Sequence, residues 1–328
     1  MRADIHNHAV PEAVVEFYDR EPVFGIEVVG ERQLKGGPEG DYELQPRFYD
    51  AAAKVQDLKR HGLDTAVMSV DPPFFHYDVD PDAGTALAEL INDGLRAMAS
   101  AQPDHLNWMA TVPLQAPERA ASVLRDAHTD GCVGVEIGTS TGSRFLDDPV
   151  FEPFWAEAEA LEIPVMLHPA YQHPHPGFDS FHLTNVIGNM LETTIAIERL
   201  IMSGTLDRHP GVNIVIVHSG GYVPFQHGRL RHARSVRPFE ESAPRDPADY
   251  FGQVRFDCLT HDRKALRFLI DQVGEENVLM GTDLPCDMAT PEPWSELVAV
   301  AGEEVAARIA GPNIAELYGL KSPVSESR

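Results

Sequence analysis

Ile163-Pro-Val-Met-Leu-His168 is an apolar run that ends in a histidine. After the amphipathic stretch Thr184 to Ser203, the chain repeats the pattern as Asn213-Ile-Val-Ile-Val-His218. Two short runs rich in β-branched residues, joined by a helix-length amphipathic stretch, read as a βαβ unit with parallel strands. Working outward from this unit, the same alternation recurs in both directions. Strands are expected at Ala3 to His6, Thr65 to Ser69, Leu106 to Thr111, Val133 to Ile137, Val165 to His168, Asn213 to Val217, Val254 to Asp257 and Val278 to Gly281. Helices are expected at Ala51 to His61, Asp82 to Ala101, Pro117 to Asp130, Pro149 to Leu161, Thr184 to Ser203, Tyr222 to Ser235, Arg263 to Val273 and Glu292 to Val300. Eight strands each followed by a helix is the count of a (β/α)8 TIM barrel of the α/β class.

The glycine-rich segment from about 20 to 46 breaks the rhythm and reads as an insertion after the first strand, a small hairpin near the barrel mouth. Glu303 to Leu320 reads as closing C-terminal helices, and 321–328 as a frayed tail. With no internal repeat or low-complexity linker, residues 1–320 are expected to form a single domain. The chain has 328 residues, 43% hydrophobic and 23% charged, which excludes disordered, collagenous and coiled-coil classes. Its 51 acidic residues against 26 basic ones give a net charge of -25, so it repels nucleic acid and anionic membranes. The cysteines Cys132, Cys258 and Cys286 lie far apart and form no CxxC pair, which points to a reducing compartment. No apolar run approaches the roughly 18 residues of a membrane span, and the first residues lack a signal-peptide core. A cytoplasmic protein is expected.

A barrel carries its chemistry at the carboxyl ends of its strands. Here those ends hold His6-Asn7-His8, His168, His218 and, through Gly281-Thr282, Asp283. Residues two apart in an extended segment face the same side, so His6 and His8 can converge on one ion with Asn7 turned away. An HxH pair alone is commonly two polar loop histidines, but three further strand-end residues coincide with this one. Imidazole and carboxylate ligands in this mixture suit Zn(II), with Mn(II), Fe(II) or Co(II) as other occupants. Asp283 can both ligate a metal and move protons. His218 is either a further ligand or a neighbour of the site acting as acid or base. We favour the second role, because imidazole titrates near neutrality. His173, His175 and His182, in the loop after the fifth strand, either line the pocket or are solvated. His61, His76, His105, His128, His209, His227, His232 and His261 read as surface or helix-end residues.

Beyond these positions the sequence resembles the amidohydrolase superfamily, and more closely the decarboxylase branch typified by 2-amino-3-carboxymuconate 6-semialdehyde decarboxylase. The likeness covers about residues 2 to 320. It rests on Asp4-Ile-His-Asn-His8 followed by Pro11, Thr111-Val-Pro-Leu-Gln-Ala-Pro, Val135-Glu-Ile-Gly-Thr, Leu167-His-Pro, Glu192-Thr-Thr-Ile-Ala-Ile, His218-Ser-Gly-Gly, Pro224-Phe-Gln-His-Gly-Arg229 and Gly281-Thr-Asp-Leu-Pro. The resemblance implies a metal held by His6, His8, His168 and Asp283, with His218 beside the metal-bound water. It also implies that Arg229 reaches into a neighbouring subunit's site to bind a substrate carboxylate, and hence a homodimer. Tyr42-Glu43, Asn185, Cys286 and Ser219 depart from the branch pattern, so the substrate of its type member does not carry over. The implied activity is metal-dependent, non-oxidative decarboxylation of a small unsaturated or aromatic carboxylic acid. The absence of a GxGxxG after any strand agrees with chemistry that changes no oxidation state. The alternative at the same site is a hydrolase of an amide, lactone or related carbonyl, or a hydratase.

Overall fold

The computed structural model describes residues 1–328 except 21–23, 31, 38–39, 143, 171–175, 238–244 and 322–328. Eight strands follow one another in chain order, each parallel to the next. They are β1 (Ala3–Ala9), β2 (Thr65–Val70), β3 (Leu106–Ala110), β4 (Gly134–Gly138), β5 (Val165–His168), β6 (Ile214–Ile216), β7 (Val254–Asp257) and β8 (Val278–Leu279). Backbone hydrogen bonds from the segment after β8 back to β1 close the ring. Ile5 N–H donates to Met280 O at 3.0 Å, Asp283 N–H to His6 O at 2.8 Å, and His8 N–H to Leu284 O at 2.7 Å. The expected (β/α)8 barrel is therefore what forms.

One main helix follows each strand: α1 (Ala51–Arg60), α2 (Pro81–Ala101), α3 (Pro117–Thr129), α4 (Glu152–Ala160), α5 (Met190–Met202), α6 (Val223–Val236), α7 (Arg263–Val273) and α8 (Pro293–Ala301). Their starts are written locally. Asp50 caps α1 by accepting from Ala53 N–H, and Asp262 caps α7 by accepting from Lys264 and Ala265 N–H. Prolines 81, 117 and 293 occupy first-turn positions, where their missing N–H costs nothing. The helices cover the ring from outside, so the strands are buried on both faces and read as near-continuous apolar runs.

Several boundaries differ from the sequence reading. β1 runs on to Ala9, because after a register shift between Asp4 and Asn7 it keeps pairing with β2. The His-Asn-His motif thus lies inside a strand. The helix expected from Thr184 opens as a π-helical turn, Thr184–Asn189, before α5. The insertion is a three-stranded antiparallel sheet, Glu27–Val29, Gln33–Lys35 and Tyr42–Glu43, where a hairpin was expected. The closing helices are Glu303–Ala310 and Pro312–Tyr318. Two histidines read as surface residues are buried. His209 sits between Glu152 and Glu159 at 3.0 and 3.1 Å, and His227 packs against Phe251. No helix among the described residues is long and apolar enough to cross a membrane.

Candidate metal centre

Three strand ends converge at one mouth of the barrel. β1 delivers His6 and His8, β5 delivers His168, and the segment after β8 delivers Asp283. One ligand atom from each lies within 4.8 Å of all the others, and all four residues are buried. Close passage of the last segment depends on Gly281, where a Cβ would lie 2.9 Å from the Cβ atoms of both His6 and Asp257.

Each of the three imidazoles is oriented from behind. His6 Nδ1 donates to Asp257 Oδ2 at 2.8 Å, which leaves its Nε2 lone pair facing the site. His8 Nδ1 lies 3.3 Å from Val70 O, and His168 Nδ1 lies 2.8 Å from Pro169 O. A carbonyl can only accept, so these rings too point Nε2 inward. The two inward nitrogens of His6 and His8 are 3.1 Å apart, and Asp283 Oδ1 is 3.5 and 3.2 Å from them. Ligands bonded at ordinary metal–nitrogen and metal–oxygen lengths stand about 2.9 to 3.4 Å from one another. Lone pairs brought this close repel unless a cation lies among them, so the donor set fits a divalent metal in both spacing and chemistry.

The electrostatics agree. Burial opposes a charge on His8, yet the Asp283 hydrogen bond and the nearby acids Glu136 and Asp71 outweigh it, raising the pKa to about 9. His6 is raised in the same way, against burial, by Asp283 and Asp257. For Asp283, burial is overcome by His6 and His8, and its carboxyl is held well below the usual range. The site thus calls for positive charge. His168, by contrast, is pushed far down by burial and by the other imidazoles.

His218 stands outside the four-ligand group, with Nε2 4.0 Å from Asp283 Oδ2. Burial lowers its pKa to about 4, so the ring is neutral at ordinary pH. Its backbone is left-handed, with φ at 52°, as are Ser219 and Asp283 at 57° and 66°. Non-glycine residues pay strain in this region and stay there only when held. Asp257 does the holding: it accepts from His218 N–H at 2.9 Å and Ser219 N–H at 2.6 Å while gripping His6. Sequence reading placed Asp257 at the end of a strand but assigned it no role; its position at a barrel strand's carboxyl end was the available signal. Asp4 was missed as well. It accepts from His6 N–H, Asn7 Nδ2, Thr282 N–H and Thr282 Oγ1, tying β1 to the Asp283 segment. Asn7 does point away, receiving Lys54 Nζ at 2.7 Å.

A cleft of about 320 Å³ opens beside the ligands, with His218 and Asp283 on its floor and Val186, Met190, Leu259 and Met288 among its walls. The three-stranded insertion reaches the neighbouring side, where the Tyr42 hydroxyl donates to the buried carboxylate of Asp71. Arg229 is exposed on α6 and lines no part of its own chain's cleft. His182 is exposed, and His173 and His175 lie outside the described residues.

Known proteins are similar to this chain in sequence and in fold. A 2-amino-3-carboxymuconate-6-semialdehyde decarboxylase of Dictyostelium discoideum is 30% identical over 283 residues, covering 85% of this chain and 79% of its own. A gamma-resorcylate decarboxylase of a Rhizobium species is 29% identical over 304 residues, covering 86% and 91%. The crystal structure of a dihydroxybenzoic acid decarboxylase from a Polaromonas species, with bound manganese and 2-nitroresorcinol, has the same fold, with a TM-score of 0.80 at 22% identity over 97% of both chains. The amidohydrolase family model matches residues 3–320, and with that match over almost its whole length the chain belongs to the amidohydrolase family.

Proposed function

We propose that this protein is a metal-dependent, non-oxidative decarboxylase of a small aromatic or unsaturated carboxylic acid. His6, His8, His168 and Asp283 would hold one first-row divalent metal. Zinc suits three imidazoles and a carboxylate, and the manganese of the Polaromonas structure makes that ion the competing occupant. When bound, such an ion supplies positive charge for substrate oxygens and lowers the pKa of groups it binds.

The observation that carries the reading is the pairing of His218 with Asp283 at 4.0 Å on the floor of a largely apolar cleft. Decarboxylation breaks one C–C bond. The bonding electrons return to the ring or diene carbon, a proton joins that carbon, and carbon dioxide leaves. His218, neutral at rest, and the ionised Asp283 are placed to take up a proton from solvent and pass it to that carbon, while the apolar walls keep the planar acid in place and limit the entry of water. The two curated relatives act on a carboxymuconate semialdehyde and on gamma-resorcylate by their names, which supports an unsaturated or aromatic acid here. A panel of hydroxybenzoates and muconate-type acids, assayed for carbon dioxide release after loading with Zn(II) or Mn(II), tests the reading. Turnover of amides or lactones without carbon dioxide release would replace it with a hydrolase.

We also assign the substrate carboxylate to Arg229 of a second copy, in a homodimer. Beside Arg229 on α6, Phe225 is 74% exposed, and its ring lies 6.1 Å from the 42% exposed Phe268 on α7, an uncovered aromatic patch suited to an interface. Arg229→Ala mixed with His218→Ala should recover part of the lost activity, since one shared site would then be intact. A monomer in solution would end this assignment.

A further inference from the structure

Glu136 is a fully buried carboxylate outside the four-ligand set, and neither of its oxygens accepts an ordinary hydrogen bond among the described residues. It faces the barrel interior. β4 pairs Glu136 with Met166 and Gly138 with His168, and residues two apart on a strand share a side, so Glu136 lies on the face from which His168 reaches the site. On the other flank, Ser69 of β2 pairs with His8 of β1, and Ser69 Oγ lies 3.4 Å from His8 Nδ1. A hydroxyl that accepts from a ring N–H keeps its own proton to donate. Burial pushes the Glu136 carboxyl up to about 7, and His8, His6 and then the Ser69 hydroxyl pull it back down.

A buried acid with no more than one hydroxyl to stabilise it is costly to ionise unless positive charge faces it. The available positive charge is the cation that the inward-pointing imidazoles fit. His6 has its carboxylate directly behind it in Asp257, whereas behind His8 stand the Val70 carbonyl and the Ser69 hydroxyl, with Glu136 among the buried acids that act on it. We propose that Glu136 is a positioning residue of the metal centre, aligning His8 through Ser69 and adding a buried negative charge that faces the ion. This rests on the metal reading given above.

The test is metal affinity, measured by titrating chelator-stripped protein with Zn(II) or Mn(II) against a competing chelator. Glu136→Gln keeps the shape and removes the charge, and should weaken binding by about 10- to 100-fold, the range for partners behind metal ligands. Ser69→Ala should weaken it by a smaller factor. Glu136→Asp, which retains the charge, should bind more tightly than Glu136→Gln. Near-ultraviolet circular dichroism should show the metal-free fold intact in each variant. Wild-type affinity in a folded Glu136→Gln would overturn the proposal; if that variant does not fold, wild-type affinity in Ser69→Ala does so instead. A wild-type protein that binds neither ion would remove the metal reading itself, and Glu136's role with it.

Discussion

The ligand cradle and the cleft wall are built from adjacent residues but by opposite means. In the cradle, His6, His8, His168 and Asp283 are at most 7% exposed, and the three imidazoles are each steered from behind by an acceptor at their Nδ1. The wall is assembled from a π-helical turn, the start of α5, Ala265 of α7 and inter-element loops, and its apolar members Val186 and Met288 are 53% and 40% exposed. On the proposed function, the barrel strands and the segments just beyond them fix the reacting groups, and substrate selection falls to segments that can vary without disturbing them.

That division predicts a descending series of effects. Replacing a cradle residue should be most severe: His168→Ala should lose the bound metal and reduce carbon dioxide release by about a thousandfold or more, read by metal analysis and assay together. His218→Ala should keep the metal yet lose about 10²- to 10⁴-fold in activity, the range for a positioned acid or base. Loss of metal in that variant would move His218 into the cradle. Asp257→Asn keeps the shape but takes a charge from behind His6 and from the strained His218-Ser219 turn, so metal affinity should fall about 10- to 100-fold. On the wall, Met288→Ala should raise KM by about tenfold with kcat and metal content little changed. A wall substitution that stripped the metal would erase the distinction between the two regions.

The cradle was legible in the sequence because it depends on local periodicities. A two-residue repeat puts His6 and His8 on one side, and strand ends mark His168 and Asp283. Barrel order was legible for the same reason, since each strand is followed by its own helix. What escaped is set by contacts distant in the chain. Asp257 grips His6 across 251 positions, and Asp4 holds Thr282 across 278. His209 and His227 are covered by packing that no local pattern announces. The π-helical turn at Thr184–Asn189, which carries Asn185, Val186 and Asn189 of the cleft, looks like ordinary helix in composition.

Crystals of the metal-loaded protein, measured with anomalous scattering at the edge of the loaded ion, test the central claim most directly. The account predicts a single strong peak at the barrel mouth, about 2.0 to 2.3 Å from His6 Nε2, His8 Nε2, His168 Nε2 and an Asp283 oxygen, with His218 left outside the coordination sphere. No peak there, or an ion held elsewhere on the chain, would contradict it.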